Sequence, residues 1–455
     1  MRNLKAYSCV PEYHGKRHVK AKLPTGIRDW SHGWHKSVTH DGAGMKKVVG
    51  RISELNKYRA WKWPKKRIYF FSDLHGDAAA FTDSLVASGG VKRTGHKPAD
   101  FELTKQGKKA SFIIGGDCFD KGPSTLKLLR TIRHLINLDA DVHILAGNHD
   151  VRVLLGMMAV DMKKDRFNEH FFIRTGQKII PLLKEIREQH VTDKFMAKMP
   201  SYKECRKRLF PSPGWFEAFP EIAKNTIRPA QIRRELIRIR KKHDRFESLC
   251  HKHGMDMRDV YAAVETWKKL FMDSSGEFRW FYRDMKLAIQ SGSFLFVHAG
   301  LDNIMARHLY KGGVKKLNKA FAHALKHKPF SFYYGPLCNM VRTKYRDVDH
   351  PLTGHGTRLV KRAGISAVIH GHRNLHDGQR LALRKSMLNF ECDTSVDRHT
   401  RQHEGLKGNG AGVTIIEPKG HILAISSDYP YAKLFEPEIT LKQLKKSLKK
   451  RRRAA

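Results

Sequence analysis

From Arg67 onward, short apolar runs alternate with polar clusters. Ile68–Phe71, 112–114, 142–145, 294–297 and 367–369 are strand-like in length, each bounded by Gly, Asp, Asn or His. Between some of them lie helix-like segments, Ala78–Ala87 and 124–138, the second entered through Pro123. The rhythm of strand, loop, helix and strand predicts an α/β fold. In such sheets chemistry collects at the carboxyl ends of the strands. The polar clusters here all directly follow predicted strands.

Residues 161–290 break that rhythm. The segment is charged and helical in pattern. In it Ile232, Leu236, Ile239, Phe246 and Leu249 can share one face, with Arg and Lys covering the rest. This predicts a helical insertion or cap, with twenty-nine basic residues against eighteen acidic ones. Strands return late: 411–417 and 421–427 flank Pro418, Lys419 and Gly420, a turn that predicts a hairpin. The last stretch, 439–455, carries a narrow apolar stripe (Ile439, Leu441, Leu444, Leu448) in a field of Lys and Arg. The predicted organisation is a basic extension over 1–66, a core over 67–430 interrupted at 161–290, and a basic tail over 431–455.

Charge adds a question about partners. The chain of 455 residues has a formal net charge of +43. The first 66 residues hold sixteen basic side chains against four acidic ones, with Trp30, Trp34, Trp61 and Trp63 interleaved. That arrangement suits either stacking on bases or anchoring onto the core. The run 449–453 suits nucleic acid or another polyanion, or a solvated helix end. No apolar run is long enough to span a membrane, and the start lacks the apolar core of a secretory signal. Six cysteines, at 9, 118, 205, 250, 338 and 392, lie far apart without a C-x-x-C pair. That suits a reducing compartment, so a cytoplasmic location is expected.

The chemistry-bearing residues form five clusters. They are Asp73-Leu-His75-Gly76-Asp77, then Gly116-Asp117-Cys-Phe-Asp120-Lys121-Gly122, Gly147-Asn148-His149-Asp150-Val-Arg152, His298-Ala-Gly300 and His370-Gly371-His372-Arg373-Asn374. Oxygen and imidazole donors without thiolate suit Mn, Fe or Zn. A shared carboxylate can hold two cations ~3.5–4 Å apart, which acidify a water and clamp an in-line displacement at phosphorus. If the first strand continued through Asp73 and His75, alternation would point both side chains the same way. Any one cluster alone reads as a capped turn. Five strand ends in one order, all with ligand-type residues, point to a two-metal site.

The ordered set D-x-H, G-D-x-x-D-x-G, G-N-H-D, H and G-H resembles the calcineurin-like metallophosphoesterase superfamily. G-D-x-x-D-K-G followed by G-N-H-D-x-R is similar to its phosphoprotein-phosphatase branch, bacterial members included. The resemblance covers roughly 67–160 and 291–430. It implies a four-layer α/β/β/α sandwich with two divalent ions. Asp73 and His75 would hold one metal and Asp117 would bridge, while Asn148, His298 and His372 would complete the second. His149 would be the general acid, oriented by Asp120. The nucleophile would be a hydroxide shared by the metals, acting on a phosphomonoester such as a Ser/Thr phosphoprotein. A nucleotide or nucleic-acid phosphoesterase, and a nucleic-acid-binding protein with incidental hydrolysis, are the alternative expectations. Arg152, Lys121 and Arg342 are the expected phosphate contacts. Lys121 stands where the family often has Arg and supplies a point charge without the bidentate fork. Asp150 stands where many phosphatases have Glu. His370 is expected to end its strand, and the acidic stretch 390–398 to be a strand followed by a polar loop, with lining of the cleft from the late sheet as the alternative.

Overall fold

A computed structural model describes residues 10–30, 44–162 and 165–453. Its strands are β1 (Gly26–Asp29), β2 (Ile68–Phe71), β3 (Val91–Arg93), β4 (Phe101–Leu103), β5 (Ser111–Ile114), β6 (Asp141–Leu145), β7 (Met285–Lys286) and β8 (Ile289–Ser291). They continue with β9 (Phe294–Phe296), β10 (Ala367–His370), β11 (Arg380–Arg384), β12 (Met387–Glu391), β13 (Gly412–Glu417), β14 (His421–Ser426) and β15 (Tyr431–Phe435). One sheet of eight runs in the order β1-β15-β14-β13-β2-β5-β6-β7, and a second of five in the order β11-β12-β10-β9-β8. β2, β5 and β6 are parallel, as are β9, β10 and β12. The expected hairpin is β13–β14, antiparallel from Gly412 opposite Ser426 to Glu417 opposite His421.

Strand alternation builds the layers. Ile68 and Phe70 of β2, Ile113 of β5 and Leu145 of β6 meet Phe294 and Phe296 of β9, Ala367 and Ile369 of β10, and Phe390 of β12 in one cluster between the sheets. The intervening residues Tyr69, Phe71, Phe112 and Ile114 face the helices Ala78–Ala87 and Thr125–Asn137 through Phe81, Leu85, Leu128 and Leu129. Outside the second sheet, Leu295, Val297 and Val368 meet Met305, Leu309 and Val360. These come from the helices Asn303–His327 and Gly354–Arg362, which pack on each other. Both faces of both sheets are therefore buried, which is why these strands read as continuous apolar runs. The result is an α/β/β/α sandwich.

The basic terminal segments take part in this core. β1 pairs in parallel with β15 at the edge of the large sheet, and Trp30 is buried edge-on against Phe390. Trp61 stacks on Trp63 and on Phe294, so these indoles anchor chain to core; Trp34 lies outside the described residues, as does Cys9. Helix Met45–Lys57 closes one end of the inter-sheet core with Val48, Ile52 and Leu55. The C-terminal helix Pro437–Arg453 packs against it through Leu444, with Leu441 and Leu448 half-buried.

The segment 161–290 is mostly helical. Its long helix Pro229–Lys252 buries Ile232, Glu235, Ile239, Phe246 and Cys250, leaving Leu236 and Leu249 half-buried. At its start Arg228 and Gln231 donate to the carbonyl of Val348, tying the helix to the loop before Gly354–Arg362. Among the described residues no helix is long and apolar enough to cross a membrane.

Candidate metal centre

Each predicted cluster follows a strand of the two sheets, and the sandwich brings all five together. The backbone there is unusual. Asp73, His75, Asp117, Asp120, Lys121 and His372 all have positive φ, between 43° and 68°. Such left-handed residues are costly outside glycine and persist where surrounding structure enforces them, characteristically at functional sites. β2 ends at Phe71, so Asp73 and His75 are aimed by this loop geometry and not by strand alternation. Loop meets loop through the backbone: His75 N donates to Asp117 O (2.8 Å) and Asp73 N to Gly116 O (3.2 Å).

Asp117 is the hub. Its Oδ2 lies 3.9 Å from His75 Nε2, 3.8 Å from His149 Nε2 and 3.4 Å from His298 Nε2. Two groups of potential ligands share it: His75, Asp117 and His149, and Asp117, His298 and His372, each with ligand atoms within 4.8 Å of one another. Asn148 Oδ1 is 3.2 Å from His298 Nε2. Asp73 stands beside these groups, its Oδ2 accepting from His372 N (2.9 Å) and from the Ser72 hydroxyl. The close approach of the Gly147 backbone leaves no room for a side chain, since a Cβ there would lie 2.1 Å from Asp117 N.

Backbone carbonyls orient the imidazoles. Nδ1 of His75 faces Phe119 O at 3.1 Å, and Nδ1 of His298 faces Gly115 O at 2.8 Å. Donation from these nitrogens leaves Nε2 of each ring as the lone-pair donor to the centre. His372 is turned the other way: its Nε2 is 3.2 Å from Arg342 O, which leaves Nδ1 for the centre. His370 ends β10 and faces away, its Nε2 3.9 Å from Glu391.

The electrostatics call for cations. Asp73, Asp117, Asp150 and Asp393 are all buried. Burial, together with the Asp117 charge, raises the Asp73 carboxyl above its usual range. Burial pushes Asp393 well up, with the Asp73 charge adding to it. Burial opposes a charged His298, yet Asp117 and Asp73 overcome it and hold the ring up to about 10. His75 is drawn down to about 3 by burial and the nearby Lys121 ammonium. Divalent ions would neutralise these carboxylates, and the donors, all oxygen and imidazole nitrogen, fit such ions.

A second layer surrounds the hub. His149 Nδ1 lies 2.6 Å from Asp120 Oδ2, and Arg152 also pairs with Asp120. Burial draws His149 down to about 4 despite the opposing pull of Asp117. Burial opposes ionisation of Asp120, but Arg152 and His149 keep it at about 2. Lys121 Nζ is 3.0 Å from His75 Nε2 and 3.3 Å from Thr400 Oγ1. Arg342 and Arg152 line a cleft of about 260 Å³ that opens at Asn148.

Two acids go beyond the sequence reading. Asp150 accepts from the backbone N–H of Asp117 (2.8 Å), Cys118 (2.8 Å), Phe119 (3.2 Å) and Gly147 (2.9 Å), clamping the second cluster onto the helix Asn148–Ala159. Asp393 lies in the polar loop that follows β12, as expected of the stretch 390–398, and that loop comes beside Asp73. The sequence marks both as acids next to a strand or ligand cluster, but nothing local reveals their direction.

A profile of the calcineurin-like phosphoesterases matches residues 66–226. No curated protein sequence matches this one significantly. Among solved structures, a cold-active protein-tyrosine phosphatase of a psychrophilic Shewanella species is similar at 14% identity and a TM-score of 0.41, covering 82% of this chain and 80% of that one. A protein serine/threonine phosphatase from Saccharomyces cerevisiae with similarity to human phosphatase PP5 is similar at 11% identity and a TM-score of 0.36, covering 86% and 90%. The matched residues hold the first three candidate ligand clusters, so the stretch 66–226 is similar to the calcineurin-like phosphoesterases, and the second sheet, beyond that stretch, supplies His298 and His372 to the same hub.

Proposed function

We propose that the protein is a metal-dependent phosphomonoesterase of the phosphoprotein-phosphatase type, acting on phosphorylated Ser and Thr. The observation that carries this reading is the placement of His149, with Nδ1 on Asp120 at 2.6 Å and Nε2 facing the hub carboxylate Asp117. An imidazole held by a carboxylate at one nitrogen and open toward the reacting centre at the other is built to deliver a proton to a poor leaving oxygen, such as that of serine. Asp73, His75 and Asp117 would hold one divalent ion, and Asp117, Asn148, His298 and His372 the other. Bound there, the ions supply Lewis-acid polarisation of the phosphoryl group and acidification of a water. Arg152, Lys121 and Arg342 would neutralise and orient the phosphoryl oxygens, and Asp120 would align His149.

The test is hydrolysis of p-nitrophenyl phosphate and bis-p-nitrophenyl phosphate by metal-stripped protein, with Mn, Mg, Zn or Fe restored one at a time. Metal-dependent cleavage of the monoester, followed by turnover of phosphoserine and phosphothreonine peptides, is the expected result. Preference for the diester would overturn the monoesterase reading.

A second reading, contact with nucleic acid, draws on the packing of the basic helices Met45–Lys57 and Pro437–Arg453 against each other. It predicts oligonucleotide affinity that falls steeply with salt. A flat salt response or absence of binding would remove it.

A further inference from the structure

The cleft at Asn148 holds more positive charge than one phosphoryl group requires. Three of its guanidiniums are already matched: Arg152 by Asp120, Arg174 by Glu235, and Arg346 by Asp349 at 3.6 Å. The other three lining arginines are Arg234, Arg238 and Arg342. Arg234 and Arg342 have no ion-pair partner among the described residues. Arg238 approaches only Glu235, at 4.0 Å, and Glu235 is already engaged by Arg174 and by the Tyr334 hydroxyl.

The helix Pro229–Lys252 creates this imbalance by its register. Glu235 turns inward and is buried, whereas Arg234 and Arg238, four residues apart and so on one face, stay exposed and line the cleft. The insertion therefore presents cations to the cleft that Asn148 also lines and hides its acid. The aromatic residues of the cleft do not offer a stacking platform. Tyr333 and Tyr334 are 7% and 8% exposed, and the Arg174 and Arg342 guanidiniums lie 5.6 and 5.5 Å from the Tyr333 ring centre. A nucleobase would find no open ring face there, whereas carboxylates and phosphates would find charge-assisted donors.

We propose that Arg234 and Arg238, lining the same cleft as Arg342 and Asn148, form a subsite for a second anionic group of the substrate: a carboxylate or phosphate on a residue flanking the phosphorylated Ser or Thr. The favoured substrate is then an acidic or multiply phosphorylated peptide. This inference rests on the phosphoprotein reading above, and its test separates the two.

The experiment compares kcat/KM of the metal-loaded full chain on phosphoserine peptides with neutral, glutamate and phosphoserine flanks, alongside p-nitrophenyl phosphate. The same set is run on Arg234→Gln/Arg238→Gln, whose exposed side chains can change without loss of packing. The expected result is a preference for the anionic flanks of about tenfold or more, carried in KM. It shrinks with salt and falls toward unity in the double variant. Equal turnover of neutral and anionic peptides by the unaltered protein would overturn the subsite and leave the phosphatase reading standing. A full preference retained by the folded double variant would overturn the assignment to these arginines. Cleavage of p-nitrophenyl phosphate with no peptide cleaved would remove the phosphoprotein reading and the subsite with it. Preference for an oligonucleotide over every peptide would overturn the proposal in favour of nucleic acid.

Discussion

The metal centre and the arginine cleft meet at Asn148, yet they are built by opposite means. The centre is assembled from loops at strand ends of two sheets, with Asp73, His75, Asp117 and His372 held in left-handed backbone and the rings of His75, His298 and His372 each oriented by a carbonyl. The cleft is walled on one side by a helix of the insertion, and its cations outnumber its acids. Fixed geometry at the first serves chemistry, which tolerates little displacement of reacting groups. Excess charge on exposed side chains at the second would, on the proposed subsite, serve recognition, where long-range attraction matters more than angle. The division predicts that lesions in the centre act on kcat and lesions in the cleft act on KM and substrate choice.

The sharpest way to break that division is Asp117→Asn. Loss of the shared carboxylate should lower kcat by at least about a thousandfold, with metal content measured by elemental analysis falling alongside. Retained activity with two ions bound would refute the hub. His149→Gln should come next, lowering kcat by about 10²–10⁴-fold on phosphoserine with metal content unchanged. The loss should be much smaller on p-nitrophenyl phosphate, whose leaving group does not need a proton. An equal loss on both substrates would mean that His149 acts by some means other than proton delivery.

Asp150→Asn tests the clamp and not the chemistry. The amide keeps the shape but cannot accept all four backbone hydrogen bonds, so stability to denaturant should fall by about 1–3 kcal/mol. An unchanged midpoint would show that the second cluster holds itself. Chelation should also lower Tm, because ions bound only by the folded chain stabilise it by mass action, about 2.7 kcal/mol at a hundredfold excess over Kd. The smallest effect is expected for Arg342→Gln, a several-fold rise in KM with kcat nearly constant. A large fall in kcat there would erase the boundary between centre and cleft.

The same contrast separates what the sequence made readable from what it did not. Asp73, His75, Asp117, Asn148, His298 and His372 stand out because metal chemistry needs those side-chain types and the α/β pattern puts strand ends together. The left-handed turns at Asp73 and Asp117 are invisible in the chain, since neither residue is glycine. Asp150 reads as one more member of its cluster until the structure shows it gripping four N–H groups. Arg234 and Arg238 are two among many arginines in a long amphipathic helix. Only the burial of Glu235 fixes which face they share, and that burial depends on Arg174, far off in sequence. β1, with the short sequence Gly-Ile-Arg-Asp, has no periodicity to reveal it and becomes a strand by pairing with β15.

That pairing governs the order in which the molecule can complete itself. Gly26 is matched to Tyr431, and the helix behind β1 packs on the helix that follows β15. Residues 20 and 21 can dock early, their N–H groups donating to Asp83, but β1 has no strand to pair with until β15 has been synthesised, so it waits unpaired while the central strands assemble. Such closure by distant partners is slow because the loop entropy is lost before the contact is gained. A stalled or shortened nascent chain would leave one edge of the large sheet bare, which makes this seam the place where aggregation during synthesis would begin.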